Sequence, residues 1–208
     1  QVLLEPKDRN YSEAYWENRT MAPSSLLFYL GVNKRLKGLI HHNLFFDKDF
    51  NQHAVEIYDS PQWPSAPLFY ACMPSYSDDT VAPDGNENVF LLVPLAPGLN
   101  DSEEKRQEYF DRIVGRLEKL TDQTIADSVI YKRSFAMNDF VDRYNSFKGN
   151  AYGLANTLKQ TAFLKPKLKN KNLNNLYYTG QLTTPGPGVP PSIISGCVVA
   201  QEILKQTT

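Results

Sequence analysis

The sequence predicts an α+β fold: a mixed, mainly antiparallel sheet with flanking helices, followed by a strand, a loop and a helix at the carboxyl end. Three observations carry this. Apolar runs of strand length crowd residues 24–95 between polar and proline-rich breaks. From Asn100 onward the apolar spacing lengthens to that of a helix. Residues 171–208 then set a strand signal, a Gly/Pro-rich loop and an apolar helix in immediate succession.

Composition bounds the rest. The 208 residues are 41% hydrophobic and 22% charged, enough to bury a core and unlike a collagen, a coiled coil or a disordered tail. A formal net charge of −1 lacks the basic excess that a nucleic-acid partner or a strongly anionic bilayer calls for. Cys72 and Cys197 stand far apart without a CxxC motif, which reads as reduced thiols in a cytoplasmic protein. The N-x-S/T triplets at Asn10, Asn18 and Asn100 arise readily by chance and carry no weight without a secretory signal. No run approaches the roughly 20 apolar residues of a spanning helix. The opening QVLLEPKDRN holds neither an initiator Met nor a signal peptide, so the chain reads as a piece of something longer.

Taken in order, Tyr11 to Asn18 is a candidate short helix carrying Tyr15 and Trp16. SSLLFYLGV (24–32) and GLIHHNLFF (38–46) are strand-length apolar runs, and with only the polar NKRLK between them they read as a hairpin or as neighbouring strands. HAVEIYD reads as a shorter alternating segment, and the prolines of SPQWPSAP mark an ordered loop. PLFYACMP and NVFLLVPL are two further strands around the turn-rich SYSDDTVAPDGNEN. Tyr109, Ile113, Leu117 and Leu120 then share one helical stripe while Glu103, Glu104, Lys105 and Arg112 lie off it, with Asn100 or Asp101 as the cap. Ser128 to Phe135 is another strand, and Asn138 to Tyr144 a short helix with Asp139 in its first turn. Residues 146–170 carry loops with Gly149, Gly153, Pro166 and a lysine cluster that reads as a solvated face.

The carboxyl-terminal unit holds the chemistry. NLYYTG is a strand signal ending at Gly180, QLTTPGPGVPP is the loop, and SIISGCVVAQEILKQ is a helix with almost no polar face before Gln201, hence expected to be buried. Free N–H groups at a helix start, behind glycines that admit close backbone approach, suit a phosphate, a carboxylate or an electron-rich ring edge. Pro190 and Pro191 fit the first turn, where a missing N–H costs nothing. Gly196 inside the helix costs about 1 kcal/mol relative to Ala, which points to close packing there. A stiff crossover of purely structural purpose accounts for the same residues. Neither GxGxxG nor a P-loop GK[ST] is present, so any nucleotide site here is the second wall of one whose first wall lies elsewhere.

Six motifs then follow one another in a known order: LGV, HHNLFF, SAP with ACMPSYSDDTVAPDG, NVFLLVPLAP, FVDRYNSFKGNAYGL and NNLYYTGQLTTPGPGVPPSIISG. Over residues 24–203 they resemble the carboxyl-terminal part of the bacterial-type phytoene desaturases and related carotenoid oxidoreductases, within the FAD-dependent amine-oxidase-like flavoproteins. The last motif is the most specific. The resemblance implies that residues 1–170 supply most of a substrate-binding domain and residues 171–208 the last segment of a Rossmann-like FAD-binding domain, whose GxGxxG half is absent from this chain. It implies Gly180 and Gln181 near the ribityl-diphosphate of FAD. Pro190, Pro191, Ser192 and Ile193 would form a helix start near the flavin ring, whose anionic reduced form a positive helix end stabilises. Also implied are an apolar polyene substrate such as phytoene, removal of its hydride to the flavin, peripheral contact with a membrane, and inactivity of the isolated piece. The sequence departs from the commoner spelling with Thr184-Pro-Gly-Pro-Gly for His-Pro-Gly-Ala-Gly, Leu164-Lys-Pro for Phe-Arg-Pro and Ala136-Met for Thr-Pro.

Other chemistry finds little support. His41 and His42 are adjacent, so on a strand they point to opposite faces and cannot share a metal, and no metal site is expected. Asp78 and Asp79 sit in a turn-rich loop where Asp serves local hydrogen bonding. No spacing supports a hydrolytic triad. The catalytic residues stay unassigned. The other readings are a saturase, isomerase or oxygenase of the same flavin superfamily, and a non-catalytic lipid-binding module.

Overall fold

Strand β1 (Ser24–Val32) shows how the larger of two units is built. In the computed structural model, which describes residues 3–207, the chain divides into Gln1–Ala22 with Tyr152–Thr208, and Pro23–Ala151. In the second unit β1 alternates, burying Leu26, Phe28, Leu30 and Val32 on one face. Strand β4 (Glu87–Leu95) lies antiparallel to it in continuous register from Ser24 opposite Leu95 to Val32 opposite Glu87, and sends Val89, Leu91, Val93 and Leu95 to the same core. With β2 (His42–Phe45), β3 (Phe69–Cys72) and β5 (Val129–Phe135) the sheet has the order β2-β3-β4-β1-β5, every pair antiparallel. The expected α+β class and antiparallel sheet are what the structure shows.

Helix α3 (Glu103–Thr121) joins that core through Tyr109, Phe110, Ile113, Val114 and Leu117, each worth about 1.5–3 kcal/mol if fully buried. Leu120, expected on the stripe, is instead exposed. The cap is Ser102, whose hydroxyl accepts the Lys105 N–H at 3.3 Å, and not Asn100 or Asp101. Asp101 has another task. Its carboxylate accepts two hydrogen bonds from Arg106, at 2.7 and 2.6 Å, and one from the Asn138 N–H at 2.9 Å, tying α3 to the start of helix α4 (Met137–Tyr144). Pro94 is tolerated in β4 because β3 pairs only as far as Leu92, so the missing N–H faces no partner strand.

Two expectations fail here. β1 and β2 are not neighbours: the segment between them is pinned to the start of β4 by Glu87, whose carboxylate accepts the Leu36 N–H at 3.1 Å and pairs with Arg35 at 3.3 Å. The predicted run from Gly38 shrinks to four residues because the Asn43 side chain closes a loop ahead of it, bonding the N–H and C=O of Ile40 at 3.1 and 2.6 Å. The HAVEIYD segment is helical, part of α2 (Phe50–Tyr58). Asp49 caps it, and the buried residues His53, Glu56 and Ile57 follow helical spacing, which a short window confuses with alternation.

In the other unit, α1 (Glu13–Glu17) falls within the predicted short helix, with Ser12 accepting the Tyr15 N–H at 3.2 Å. Side chains stitch this amino-terminal stretch to later residues: Gln160 exchanges hydrogen bonds of 3.0 and 2.8 Å with the Thr20 backbone, and Asn170 reaches the Asp8 carbonyl at 2.9 Å. Helix α5 (Val189–Thr207) is where the sequence places a helix. The predicted strand before it is not: only an isolated bridge, Lys169 with Tyr177, forms there, because a strand needs a partner ladder and, among the described residues, just two backbone hydrogen bonds join this segment to residues 168–170. The expected burial of α5 is also only partial, since Ser195 and Val199 are buried whereas Val189, Ile193, Ile194 and Leu204 are exposed. Among the described residues, no helix is long and apolar enough to cross a membrane.

Candidate functional site

The candidate residues gather around the start of α5. Pro190 and Pro191 occupy its first turn, and the Ser192 N–H bonds the Gly188 carbonyl at 3.0 Å, so Val189 alone among residues 189–191 retains an N–H. Gly180 is fastened to this helix by a side chain that the sequence reading missed. The wholly buried Ser195 accepts the Gly180 N–H at 3.1 Å and the Thr179 hydroxyl at 3.1 Å. It lies 2.7 Å from the Thr183 hydroxyl, which donates to the Gly180 carbonyl at 2.9 Å. Every polar atom in that knot has a role, so the Gly180 turn is fixed to the first turns of α5. Small hydroxyl residues in a glycine loop were the only signal, and spacing alone could not pair them.

The backbone there keeps the conformations that glycine permits. Gly180, Gly186 and Gly188 have φ of 103, 136 and 113°, and the space beside Gly180 where a side chain would start is open. Gln181 is half-buried beside it, and Ile193 is 63% exposed one turn into the helix. Gly180, Pro190, Pro191, Ser192 and Ile193 are therefore brought into one region, with a bare backbone on one side and a helix start on the other.

A buried cation lies against the same loop. Lys165 is 3% exposed and its Nζ has no hydrogen-bond partner among the described residues. A Cβ added at Gly186 would stand 3.2 Å from its Cε and 3.4 Å from its Nζ. Burial pushes the ammonium below its ordinary range. The expected solvated lysine face thus has an exception. Of what the resemblance implies, an electron-rich or anionic cofactor fits these residues: the loop leaves room, the helix end is positive, and an orphaned donor lies against the loop at Gly186. Next to this loop, a cavity of about 190 Å³ is lined by Tyr11, Trp16, Lys167, Tyr178, Thr179 and Thr183 among others.

The structure corrects the reading of the adjacent histidines. His41 precedes β2 in a bend, so strand alternation does not apply, and the two rings lie 4.3 Å apart. Their donor atoms and the Cys72 Sγ all fall within 4.8 Å of one another, a nitrogen and sulfur set close enough to hold one zinc- or copper-type ion. Ser77 bonds His41 Nδ1 at 2.5 Å, and Tyr70 bonds His42 Nδ1 at 2.6 Å. Desolvation is the main reason the Tyr70 hydroxyl is pushed up to about 12. Asp78 behaves as expected, accepting the Thr80 N–H and hydroxyl at 2.8 and 2.6 Å, bonds that hold its carboxyl below the usual range.

No family model matches the chain. Curated proteins do. A carotenoid 3,4-desaturase of Haloarcula japonica is 44% identical over 203 residues, which is 98% of this chain and 41% of that protein. A 4,4'-diapophytoene desaturase of Staphylococcus haemolyticus is 31% identical over 95% of this chain and 40% of its own length. A 4,4'-diaponeurosporene oxygenase of the same organism is 31% identical over 88% of this chain and 37% of its own. The chain therefore spans about two-fifths of the length of these relatives.

Proposed function

The chain belongs to the carotenoid desaturase family, and from that premise we propose that the full-length protein is an FAD-dependent desaturase acting on an apolar polyene, phytoene or a related carotenoid. The observation that carries this is the 44% identity with a carotenoid desaturase across nearly the whole chain. The loop and helix start described above support the cofactor. When bound, FAD would take a hydride from the polyene while a proton leaves the adjacent carbon to a base or to water, giving a new conjugated double bond. This chain's contribution would be to hold: the Ser195 knot fixes the Gly180 turn, Gly180 and Gln181 would receive the ribityl-diphosphate, and the α5 start with Pro190, Pro191, Ser192 and Ile193 would receive the ring.

On this reading residues 1–170 supply most of the substrate-binding domain and residues 171–208 close the FAD-binding domain. The apolar residues that α5 leaves exposed are the face such a segment would lay against the rest of the cofactor domain. A water-insoluble substrate fits a cytoplasmic enzyme in peripheral contact with a membrane. An oxygenase acting on a carotenoid end group is the second reading, favoured by the 31% identity with the staphylococcal oxygenase. The test is the visible spectrum of the full-length protein before and after anaerobic incubation with phytoene in liposomes. A flavin band that bleaches, with a more conjugated product, is the expected result. A colourless folded protein would overturn the cofactor, and a flavin that phytoene cannot reduce would overturn the substrate. Incorporation of oxygen into the product when the incubation is repeated in air would select the second reading.

A further inference from the structure

A lysine ammonium in a dry site without a partner is costly, and a chain that keeps one there has a use for an anion at that point. Lys165 is such a group: 3% exposed, with no hydrogen-bond partner among the described residues. Its place is specific. Its Cε and Nζ fill the space where any side chain at Gly186 would begin, and the Asn156 Oδ1 lies 3.7 Å from the same point. Helix α5 starts three residues further on, at Val189.

The composition of that helix start explains why a lysine is needed. Anion sites at helix ends draw on N–H groups of the first turn. Here Pro190 and Pro191 remove two of three, so the end keeps its dipole but has lost most of its donors. Lys165 brings three N–H donors and a full charge to the loop that feeds the helix.

We propose that Lys165 is a flavin-binding residue whose ammonium, held against Gly186 beside the start of α5, neutralises the negative charge carried by the pyrimidine edge of the reduced ring. This rests on the cofactor reading above and adds a residue to it. The ligand chemistry is an anion that appears on reduction. A contact to the permanently charged diphosphate would weaken oxidised and reduced cofactor alike, and the measurement separates the two.

The experiment uses the full-length flavoprotein and its Lys165→Met, Lys165→Gln and Lys165→Arg variants. The readouts are FAD affinity and the midpoint potential of the bound flavin, with circular dichroism reporting the fold. The neutral variants are expected to lose at least tenfold in preference for reduced over oxidised flavin, about 30 mV for a two-electron couple. Lys165→Arg should stay within threefold of the parent. Lys165→Gln is one atom shorter but keeps a neutral N–H donor, so it carries the test if Lys165→Met fails to fold. An unchanged potential in a folded, flavin-loaded neutral variant overturns the proposal, whatever happens to FAD affinity. A parent that binds no flavin overturns the cofactor reading and this assignment together, an outcome visible before any variant is made.

Discussion

Two glycines of the Pro23–Ala151 unit should answer the same substitution with opposite signs. Gly149 has φ of 62°, and a Cβ built there would lie 2.6 Å from the Met137 carbonyl oxygen and 2.8 Å from its Cα. These are backbone atoms at the start of α4, which cannot swing aside as the end of a side chain would, and the Gly149 carbonyl itself accepts the Ser24 hydroxyl at 2.5 Å. Left-handed backbone costs an L-residue about 1–2 kcal/mol, and forced overpacking adds about 1–3, so Gly149→Ala should destabilise by roughly 2–5 kcal/mol. Gly115 lies inside α3 with nothing within 4 Å of the added carbon. There Ala should stabilise by about 0.8–1 kcal/mol, the helix propensity difference. Urea unfolding of the chain followed by tryptophan fluorescence and circular dichroism reads both. A Gly149→Ala variant within about 0.5 kcal/mol of the parent would refute the close approach of Gly149 to α4.

Removing Arg106 by Arg106→Met strands the Asp101 carboxylate, which is fully buried, and should cost about 3–5 kcal/mol in the same assay. Replacing both residues, as Arg106→Met with Asp101→Leu, should recover much of that loss. Buried His53 receives the Leu68 N–H on Nδ1 at 3.1 Å and donates from Nε2 to the Pro94 carbonyl at 3.0 Å, a neutral tautomer, and burial holds it below its ordinary value of 6.5. The unfolded chain therefore takes up the proton first. Stability from neutral His53 is whole above about pH 6.5 and is lost as pH falls through the lower folded value, so His53→Gln should flatten the stability profile in that window. Ser195→Ala should cost about 1–3 kcal/mol by leaving buried groups of the Gly180 turn without a partner, read as a lower unfolding midpoint. Ser195→Thr, which keeps a hydroxyl, should lose less.

The parts legible in the sequence are those in which one periodicity buries one face. β1 and β4 carry four core residues each at every second position, and α3 keeps its stripe over five buried apolar residues, so their positions could be read closely. Where the interaction that decides is a side chain reaching far along the chain, the sequence is silent. Glu87 holding Leu36 keeps β1 and β2 from forming a hairpin, and no local window contains both residues. The cap of α3 shows the same thing at short range: three capping residues stand in a row, and Asp101 is taken by Arg106, leaving the role to Ser102.

The carboxyl-terminal unit divides along the same line. Its glycines and prolines announce a loop that must bend sharply and a helix that starts abruptly, and both are there, because backbone permission is a property of the residue itself. Strand formation and helix burial are properties of neighbours, and those two expectations miss: residues 175–180 find a single bridge, and α5 keeps an apolar face in solvent. Lys165 belongs to this second class. In sequence it is one lysine in a cluster, indistinguishable from Lys167 or Lys169, and only the fold shows that it alone of the three is buried beside the glycine loop. A buried cation without a hydrogen-bond partner among the described residues is informative because it indicates the sign of a ligand that would relieve it. Here that sign agrees with the dipole of α5, which begins three residues after the glycine that Lys165 lies against.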